Sequence, residues 1–365
     1  MNCREILSEI FGLKYFLSPL LSRGSASTQG ISRYKLSPCG HLLAENIKKE
    51  WVRSCVLRRE EPAFLYSQQG DCENETDLQD MFLTTKELSN GKVPFIVANI
   101  AREIASQTDS EIKTDLDWRP YFSPSQFTSL RASLFVTPSR GQQLFYHWQS
   151  QRKYWWRKFS CDPGKVSVVE DIPNRTVSIQ IELPGESHQV IETIVNHGTA
   201  YFDRLQPQQR DAYEIKDGRK KTVPYLIESR LNLEVAALMF LCQGLTLSGD
   251  RKVLRLHRRL APYKVAFLNS TDDELKSLAV YLYENLRQSH IYCLFTPLDS
   301  SSKSPGSIES QLSANDKLGV PYSILIRDTA LQDGLISIRN RDTTLEEKVH
   351  ISKVNDYIES LLKNY

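Results

Sequence analysis

The stretch Tyr263-Lys-Val-Ala-Phe-Leu-Asn-Ser-Thr-Asp-Asp-Glu-Leu-Lys-Ser-Leu-Ala279 decides the fold of the C-terminal part of this chain. It opens with an apolar run of strand length, Tyr263–Leu268. Thr271 and Glu274 then have the spacing of a capping box, in which a hydroxyl and a carboxylate satisfy free backbone donors at a helix start. The apolar residues that follow recur on one helical face, at Leu275, Leu278, Ala279, Leu282 and Leu286. The stretch therefore predicts a short buried strand followed by an amphipathic helix.

The rest of the C-terminal part repeats this alternation. Further strands are predicted at Ile291–Phe295, Val320–Ile326 and Leu335–Arg341, and a second helix at Ile308–Leu318, which Gly319 ends. Ser352 can cap a last helix, whose inner face would be Val354, Ile358, Leu361 and Leu362. Helices that alternate with fully apolar strands predict an α/β domain over 251–365, with a mixed, largely parallel sheet covered by helices.

Length and composition set limits on the protein class. A chain of 365 residues suits two domains. The net charge is only +2, so nucleic-acid binding would depend on local clusters of cations. Seven scattered cysteines, none in a Cys-x-x-Cys pair, favour reduced thiols inside a cell over a disulfide framework or a zinc site. No apolar run approaches the roughly 20 residues needed to span a bilayer. A soluble intracellular protein is expected, with no metal site and no membrane partner.

Residues 1–36 are predicted to form a mitochondrial targeting segment. They contain five cations against two glutamates, Glu5 and Glu9, with apolar residues between them and a stretch rich in Ser, Thr and Gly afterwards. An amphipathic start that contains Arg and Ser and few acidic residues is typical of such peptides. The alternative is an ordinary N-terminal helix, which the two glutamates favour.

Strands dominate the prediction between residues 37 and 250. A helix is predicted from Ser37 to Trp51, followed by an apolar strand at Val52–Leu57. Further strands are predicted at Leu134–Thr137, Val166–Val169 and Thr176–Leu183, helices at Gln142–Phe159 and Glu234–Leu241, and a linker at Gly244–Asp250. Strand-rich sequence that ends in a helix predicts an α+β domain with an antiparallel sheet.

Several blocks of this sequence are similar to a known family. The ending Gly334-Leu-Ile-Ser-Ile-Arg-Asn-Arg-Asp-Thr-Thr344 resembles the anticodon-binding domain of class II aminoacyl-tRNA synthetases. The stretch from Ser37 to Leu57 resembles motif 1 of the glycyl-type members. Leu260-Ala-Pro-Tyr-Lys-Val-Ala-Phe267 and Trp155-Trp-Arg-Lys-Phe159 look like the accessory subunits of mitochondrial DNA polymerase (polymerase gamma). The matching blocks run from about residue 37 to the C-terminus, so the resemblance covers both predicted domains.

The resemblance implies an architecture and a set of partners. It implies a catalytically degenerate synthetase-like domain at 37–250 and an anticodon-binding-like domain at 251–365. The expected role is a mitochondrial (matrix, nucleoid) accessory subunit that binds the catalytic subunit of the mitochondrial DNA polymerase. On primer-template or double-stranded DNA it would raise DNA affinity and processivity. Homodimeric relatives carry a longer insertion before about residue 117, so a monomer that forms a 1:1 heterodimer is expected. The partner contact is expected at exposed positions around Leu298, Arg339 and Arg341.

Three clusters of cations are the candidates for contact with DNA phosphates. The first is interleaved with Trp155 and Trp156, a composition that suits phosphates and planar groups. Taken alone, the pattern fits a core pair of tryptophans with a solvated rim equally well. The resemblance implies that the tryptophans anchor the core and that the four cations face outward. The predicted DNA-binding residues are Arg152, Lys153, Arg157, Lys158, Arg219, Lys220, Lys221, Arg251, Lys252, Arg255, Arg258 and Arg259.

Catalysis is not expected, and neither a catalytic residue nor a cofactor is assigned. Class II synthetases hold the ATP phosphates with an Arg in motif 2 and an Arg in the Gly-rich motif 3, which neutralise charge that develops at phosphorus. The motif 3 position, Glu228–Ala237, contains no glycine, and Val235 stands where the resemblance places the Arg. Arg230 is the remaining candidate. Asp115 and Asp117 have the spacing of a metal-binding pair, but such pairs are common on surfaces. The alternatives are an active class II synthetase, a tRNA-binding relative, and a scaffold that binds only proteins.

Overall fold

A computed structural model of the chain describes residues 9–10, 14–19, 34–68, 75–103, 127–183, 187–205, 207–248, 251–295 and 306–363. Within these ranges, no helix is both long and apolar enough to cross a bilayer. Three clusters of buried apolar side chains organise the described residues. Two of them lie on the two faces of an N-terminal sheet, and the third lies in the C-terminal part.

The strands are β1 (Leu17–Pro19), β2 (Tyr34–Leu36), β3 (Ala63–Gln68), β4 (Phe95–Glu103), β5 (Phe127–Val136), β6 (Val166–Asp171), β7 (Thr176–Leu183), β8 (Ser187–Gly198), β9 (Ile215–Asp217), β10 (Lys220–Thr222), β11 (Tyr225–Asn232), β12 (Leu245–Ser248), β13 (Arg251–Leu254), β14 (Val265–Phe267), β15 (Cys293–Leu294), β16 (Tyr322–Leu325), β17 (Leu335–Asn340) and β18 (Glu346–His350). The helices are α1 (Pro38–Val52), α2 (Glu75–Leu88), α3 (Pro138–Phe159), α4 (Ala200–Asp203), α5 (Pro207–Tyr213), α6 (Leu233–Gly244), α7 (Asp273–Gln288), α8 (Ile308–Lys317), α9 (Ala330–Asp333) and α10 (Val354–Lys363). A π-helical turn, Arg53–Leu57, extends α1, and 3-10 turns lie at Pro163–Lys165 and Ile351–Lys353.

The N-terminal part is built on a seven-stranded sheet with the strand order β3-β4-β5-β11-β8-β7-β6. All pairings are antiparallel except that of β3 with β4. Successive residues of β7 alternate between buried and half-buried, because side chains of a strand point to opposite faces of its sheet. The antiparallel sheet predicted for this part is confirmed.

Each face of this sheet carries its own core. Helices α1, α3 and α6 cover one face, where their buried side chains pack against Ala98 of β4 and Leu130 of β5. On the other face, α2, α4 and α5 contribute to an aromatic cluster centred on Phe82. The Phe82 ring lies 4.8 Å from the Phe135 ring and 5.6 Å from the Phe202 ring, distances at which tilted aromatic pairs are favourable.

The predicted strand at Val52–Leu57 is wrong. This segment continues α1 as the π-helical turn, and the next strand begins at Ala63. Ile47, Trp51 and Cys55 follow one another at four-residue intervals, and all three are buried in the first core. This helical spacing extends the apolar stripe of α1 by one further turn, which an apolar run read by itself does not reveal.

Part of the predicted targeting segment packs into the first core. The side chains of Ile10, Phe16 and Leu17 are buried, and β1 pairs antiparallel with β2. The Phe16 carbonyl accepts a hydrogen bond from the Ser37 amide at 2.8 Å, next to the start of α1. Removal of residues 1–36 would therefore take these buried side chains out of the core. The targeting role itself stays a prediction.

The C-terminal sheet has the strand order β15-β14-β16-β17-β18. Strand β14 pairs in parallel with β15 and β16, whereas β17 pairs antiparallel with β16 and β18. The predicted mixed α/β sheet is confirmed, although two of its four strand pairings, and not most of them, are parallel. Strand β18 is not predicted by the sequence patterns. Its residues are largely exposed because it lies at the sheet edge, so it has no apolar run.

Two predicted helix caps differ in the structure. Asp272, not Thr271, caps α7, because its Oδ1 accepts from the amides of Glu274 at 2.8 Å and Leu275 at 3.0 Å. Ser352 lies inside a 3-10 turn that precedes α10, and the side chain of His350 accepts from its amide. The buried residues of α10 are Val354 and Ile358, which lie on the predicted inner face.

The segment between the two parts is ordered. Strand β12 falls in the predicted linker and pairs antiparallel with β13. Beyond β13, Leu260 and Ala261 belong to the first core, and their carbonyls accept from Asn46 Nδ2 at 3.1 and 3.0 Å. The second core begins at Val265. The chain from 254 to 261 is thus anchored to α1 before the C-terminal sheet begins.

Candidate nucleic-acid interface

A cleft of about 360 Å³ lies at the C-terminal end of α3. Three segments far apart in the sequence form it: the end of α1 with its π-helical turn, the second half of α3, and the basic run that precedes β14. Five cations face a single carboxylate in its lining, namely Arg53, Arg58, Arg59, Lys158 and Arg259 against Glu50. The fold therefore concentrates positive charge that the net charge of the chain does not reveal.

The one carboxylate of the cleft is shared between two arginines. Glu50 lies 3.2 Å from Arg53 and 3.2 Å from Arg259, and its side chain is 11% exposed. Burial raises the pKa of Glu50, although the surrounding cations act in the opposite direction. Even with Glu61, which pairs with Arg59 beside the cleft, two carboxylates cannot neutralise five cations, so the cleft keeps an excess of positive charge.

Burial also lowers the pKa of two cations in the cleft, Arg59 and Lys158. The guanidinium of Arg59 lies 4.3 Å from the centre of the Trp148 ring and pairs with Glu61 at 3.5 Å. Burial lowers the pKa of Arg59. The pKa of Lys158 is lowered by burial and by repulsion from its neighbours, Arg58 foremost. An anion that entered the cleft would relieve this repulsion.

Aromatic side chains line the cleft beside the cations. Trp155 is buried, and its Nε1 donates to the Glu50 carbonyl at 3.2 Å. Phe159 packs edge-on against it at 5.1 Å between ring centres. The side chain of Tyr154, in contrast, is 70% exposed. The floor is therefore fixed, and a planar ring is available at the mouth.

The prediction that Arg152 faces outward is wrong. Its side chain is 2% exposed and donates to Glu192 through Nε at 2.8 Å and Nη2 at 3.0 Å. Trp148, Arg152 and Trp156 are spaced by four residues, so they share the inner face of α3. The predicted anchoring of the core by Trp155 and Trp156 is confirmed.

The other cations of the α3 cluster lie nearer the surface. Lys153 and Lys158 are half-buried, and Arg157 is exposed. Arg157 donates to the Val166 carbonyl at 3.2 Å, which fixes the direction of its side chain. Only Lys158 of this cluster lines the cleft. A role in DNA binding stays a prediction for all three residues.

The basic run at 251–259 is divided among several sites. Arg251 pairs with the buried Asp316 at 2.7 Å, and Lys252 pairs with Glu9. Arg258 Nη1 donates to the Tyr322 hydroxyl at 3.2 Å, at a second cleft of about 220 Å³. A further residue of the run, Arg255, is exposed. Of this predicted cluster, Arg259 is the residue that lines the larger cleft.

The third predicted cluster lies elsewhere. Arg219, Lys220 and Lys221 are exposed on the β9–β10 hairpin. Asp217 of this hairpin accepts from the Ser139 hydroxyl at 2.8 Å, at the first turn of α3. The hairpin is thus about 28 Å from Lys158 along α3, at roughly 1.5 Å of rise per residue. The structure does not bring the three clusters together.

The predicted exposure of the partner-binding arginines is wrong. Arg339 is 8% exposed and pairs with Asp316 at 3.0 Å. Arg341 is 4% exposed and donates to the carbonyls of Gly319 at 2.8 Å and Leu256 at 2.9 Å. Their side chains are directed inward because buried acceptors surround them. Leu298 lies outside the described residues.

The positions that would hold ATP phosphates in a synthetase have other roles in this fold. Val235 is buried in the first core, at the first turn of α6. Arg230 pairs with Glu103, whose side chain is 2% exposed. Arg131 also lies 3.4 Å from Glu103 and 3.8 Å from Glu228. These two arginines and two glutamates lie on the sheet face opposite to the first core, and their charges are matched in number. The predicted carboxylate pair at 115 and 117 lies outside the described residues.

Three arginines that line the cleft are not among the binding residues predicted from the sequence. Arg53, Arg58 and Arg59 come from the basic end of the motif 1-like helix. The available signal was three cations within seven residues directly after an amphipathic helix. The strand predicted at Val52–Leu57 obscured it, because a strand places successive side chains on opposite faces.

Known proteins are similar to this chain in both its N-terminal and its C-terminal part. The anticodon binding domain family matches residues 264–361. The mitochondrial DNA polymerase subunit gamma-2 of Xenopus laevis is 30% identical over 291 residues, which is 76% of this chain and 61% of that protein. The corresponding Drosophila melanogaster protein is 28% identical over 249 residues, covering 64% of this chain and 67% of that protein.

A second group of relatives consists of enzymes. The glycine–tRNA ligase of Borreliella burgdorferi is 26% identical over 305 residues, which is 78% of this chain and 64% of the ligase. The chain therefore spans roughly three fifths to two thirds of the curated relatives it matches. These similarities confirm the resemblance to polymerase gamma accessory subunits and, through the ligases and the anticodon binding domain, to class II synthetases.

Proposed function

We propose that this chain, a relative of the polymerase gamma accessory subunits and the glycine–tRNA ligases, is a non-catalytic accessory subunit of the mitochondrial DNA polymerase. It would bind the catalytic subunit and raise the DNA affinity and processivity of the complex. The observation that carries this proposal is similarity to polymerase subunits across most of the chain, together with a buried valine at the motif 3 arginine position.

The physical basis of such a role is mass action. A partner that adds contacts behind the polymerase active site slows dissociation, so that more nucleotides are added in each encounter with the template. At the rim of the cleft, the half-buried Lys158 would supply a phosphate contact close to the join between the two parts, and Arg259 behind it would add to the positive potential. The partly exposed cations Lys153 and Arg157 on the same helix would extend that surface.

Loss of phosphate-binding groups on the sheet supports a role without catalysis. A synthetase needs cations that are free to meet developing charge at phosphorus. Here Val235 contributes to the core, and Arg230 would first have to leave its buried partner Glu103. Both arrangements favour a scaffold over an ATP-using enzyme.

Primer extension by the catalytic subunit at near-physiological salt, with and without this chain, tests the proposal. Longer products per binding event are expected with the chain. Charge reversal of Lys153 and Arg157 should weaken DNA binding by the complex and flatten its salt dependence. Reversal of Lys220 and Lys221 tests the hairpin cluster in the same way, and reversal of the exposed residues Lys92 and Arg204, on the other face of the large sheet, serves as the matched control. Unchanged product length in the presence of the chain would overturn the proposal.

Stoichiometry and location belong to the same proposal. A monomer that forms a 1:1 heterodimer with the catalytic subunit is expected, and light scattering during size-exclusion chromatography measures both states. Mitochondrial targeting by residues 1–36 is tested by fusing them to a fluorescent protein. The fusion avoids the loss of Phe16 and Leu17 from the core that a truncation would cause. Cytosolic fluorescence would refute the targeting role.

The second candidate is an active class II synthetase or a tRNA-binding relative. Similarity to glycine–tRNA ligases over 78% of the chain and the anticodon binding domain match favour it. ATP–pyrophosphate exchange with glycine and other amino acids separates the two candidates. Exchange above background would replace the accessory-subunit proposal with this one.

A further inference from the structure

We propose that the cleft at the C-terminal end of α3 binds a single nucleotide through its phosphates. The nucleotide would be either a free nucleoside triphosphate or an unpaired nucleotide of single-stranded DNA. The inference goes beyond the proposed function, because it concerns binding by this chain alone, without the polymerase.

The first argument is unmatched charge. In the part of the chain that the structure describes, no carboxylate lies within ion-pair distance of Arg58. Arg53 has to share Glu50 with Arg259. Guanidinium groups bind phosphate oxygens through paired, charge-assisted hydrogen bonds, and such groups converge here from two segments. A polyphosphate would therefore gain contacts without displacing a strong existing ion pair of Arg58.

The second argument is size and shape. A volume of about 360 Å³ lies within the range of roughly 300–1,000 Å³ that is usual for small-molecule sites. Duplex DNA presents a broad convex surface, so it would reach only the rim of such a concave site. One nucleotide can enter it with its phosphates directed toward the arginines.

The third argument is the ring at the mouth. Tyr154 is 70% exposed although it lies next to the buried Trp155. An exposed aromatic side chain beside cations is the arrangement on which single bases stack, with a contribution that tolerates any base. An acidic peptide would satisfy the cations but would gain little from this ring, so Tyr154 distinguishes a nucleotide from other anions.

Isothermal titration calorimetry of the full chain tests the proposal with dATP, oligothymidylate, inorganic tripolyphosphate and polyglutamate as probes. The double variant Arg53→Gln/Arg58→Gln should bind dATP at least about tenfold more weakly, as expected when charge-assisted hydrogen bonds are lost. Tyr154→Ala should weaken dATP binding several-fold and leave tripolyphosphate binding unchanged. The control Lys92→Gln/Arg204→Gln removes equal charge at exposed positions after α2 and α4, on the other face of the large sheet, and should bind dATP within about twofold of the parent chain.

The outcomes distinguish a free nucleotide from single-stranded DNA as the ligand, and they show whether the cleft binds nucleotides specifically. Tighter binding of dATP than of oligothymidylate at equal nucleotide concentration assigns the site to free nucleotides, and the reverse order assigns it to single strands. Thermal unfolding of each variant verifies folding, which is expected because the replaced side chains are partly or fully exposed. No measurable binding of either nucleotide probe, equal weakening by the control variant, or polyglutamate binding as tight as dATP would overturn the proposal.

Discussion

Replacement of Arg152 with methionine is expected to destabilise the N-terminal part strongly, because it leaves the carboxylate of Glu192 buried without a cation. Glu192 is 1% exposed and receives two charge-assisted hydrogen bonds from Arg152, at 2.8 and 3.0 Å. Removal of one partner from such a buried pair costs about 3–5 kcal/mol of unfolding free energy. The matched control is Lys153→Met, at a half-buried position on the same helix, which should change the free energy by less than about 0.5 kcal/mol.

A second substitution tests the cause of this loss. Glu192 also accepts from Trp156 Nε1 at 2.6 Å, so Glu192→Gln removes the charge but keeps an acceptor for the indole. The double variant Arg152→Met/Glu192→Gln should therefore be more stable than the sum of the single effects predicts, by about 2 kcal/mol or more.

Urea unfolding monitored by tryptophan fluorescence measures these free energies. All five tryptophans precede residue 251, so the signal reports the part of the chain that contains the ion pair. An Arg152→Met variant within about 1 kcal/mol of the parent chain would refute the reasoning. So would strict additivity of the two substitutions, because it would show that the charges do not interact.

Three further predictions follow from other contacts. Burial and then Arg258 lower the pKa of His257 to about 4, so the unfolded chain binds a proton that the folded chain does not, and stability should fall as the pH drops from about 6.5 toward 4. His257→Gln should flatten this part of the pH profile in urea unfolding, and an unchanged slope would contradict it. Gly40→Ala would place a Cβ atom 2.2 Å from the Phe16 carbonyl oxygen, so faster hydrogen exchange at residues 14–19 is expected, with a cost of about 1–3 kcal/mol. Arg341→Met leaves two carbonyls without their donor, and faster exchange around residue 256 is expected; unchanged protection there would show that Arg341 does not anchor that segment.

Local sequence patterns predict many of the helices and strands, because helical and strand periodicity depends on residues that are close in the sequence. The periodicities predict helices α3, α6, α7 and α8 and three of the seven strands of the large sheet, β5, β6 and β7. The wrong or missing predictions concern segments whose local sequence signals conflict or are weak. Thr271 and Asp272 both resemble caps, and only the three-dimensional path of the chain selects the aspartate. Strand β18 has no apolar run, since its stability comes from pairing with β17.

The candidate site could be predicted only in part, because its charges are assembled from distant segments. Lys158 and Arg259 were among the predicted cations, but nothing local shows that Arg53 and Arg58 join them. The burial of Arg152 depends on Glu192, which lies 40 residues away on another strand. Composition identifies cations in such cases, whereas tertiary pairing decides which of them remain available to a ligand.

The distribution of charge on this fold favours phosphate binding in the cleft over phosphate binding on the large sheet. On the sheet face that carries the aromatic cluster, two arginines, Arg131 and Arg230, meet two glutamates, Glu103 and Glu228, so an ATP phosphate there would have to compete with buried carboxylates. The cleft at the end of α3 holds five cations and one carboxylate, so a phosphate there would meet an excess of cations. Because desolvated carboxylates hold arginines strongly, we expect nucleotide binding to be lost on mutation of the cleft and kept on mutation of the sheet. Arg230→Gln should accordingly leave dATP affinity unchanged, and a loss comparable to that of Arg53→Gln/Arg58→Gln would place the phosphate site back on the sheet.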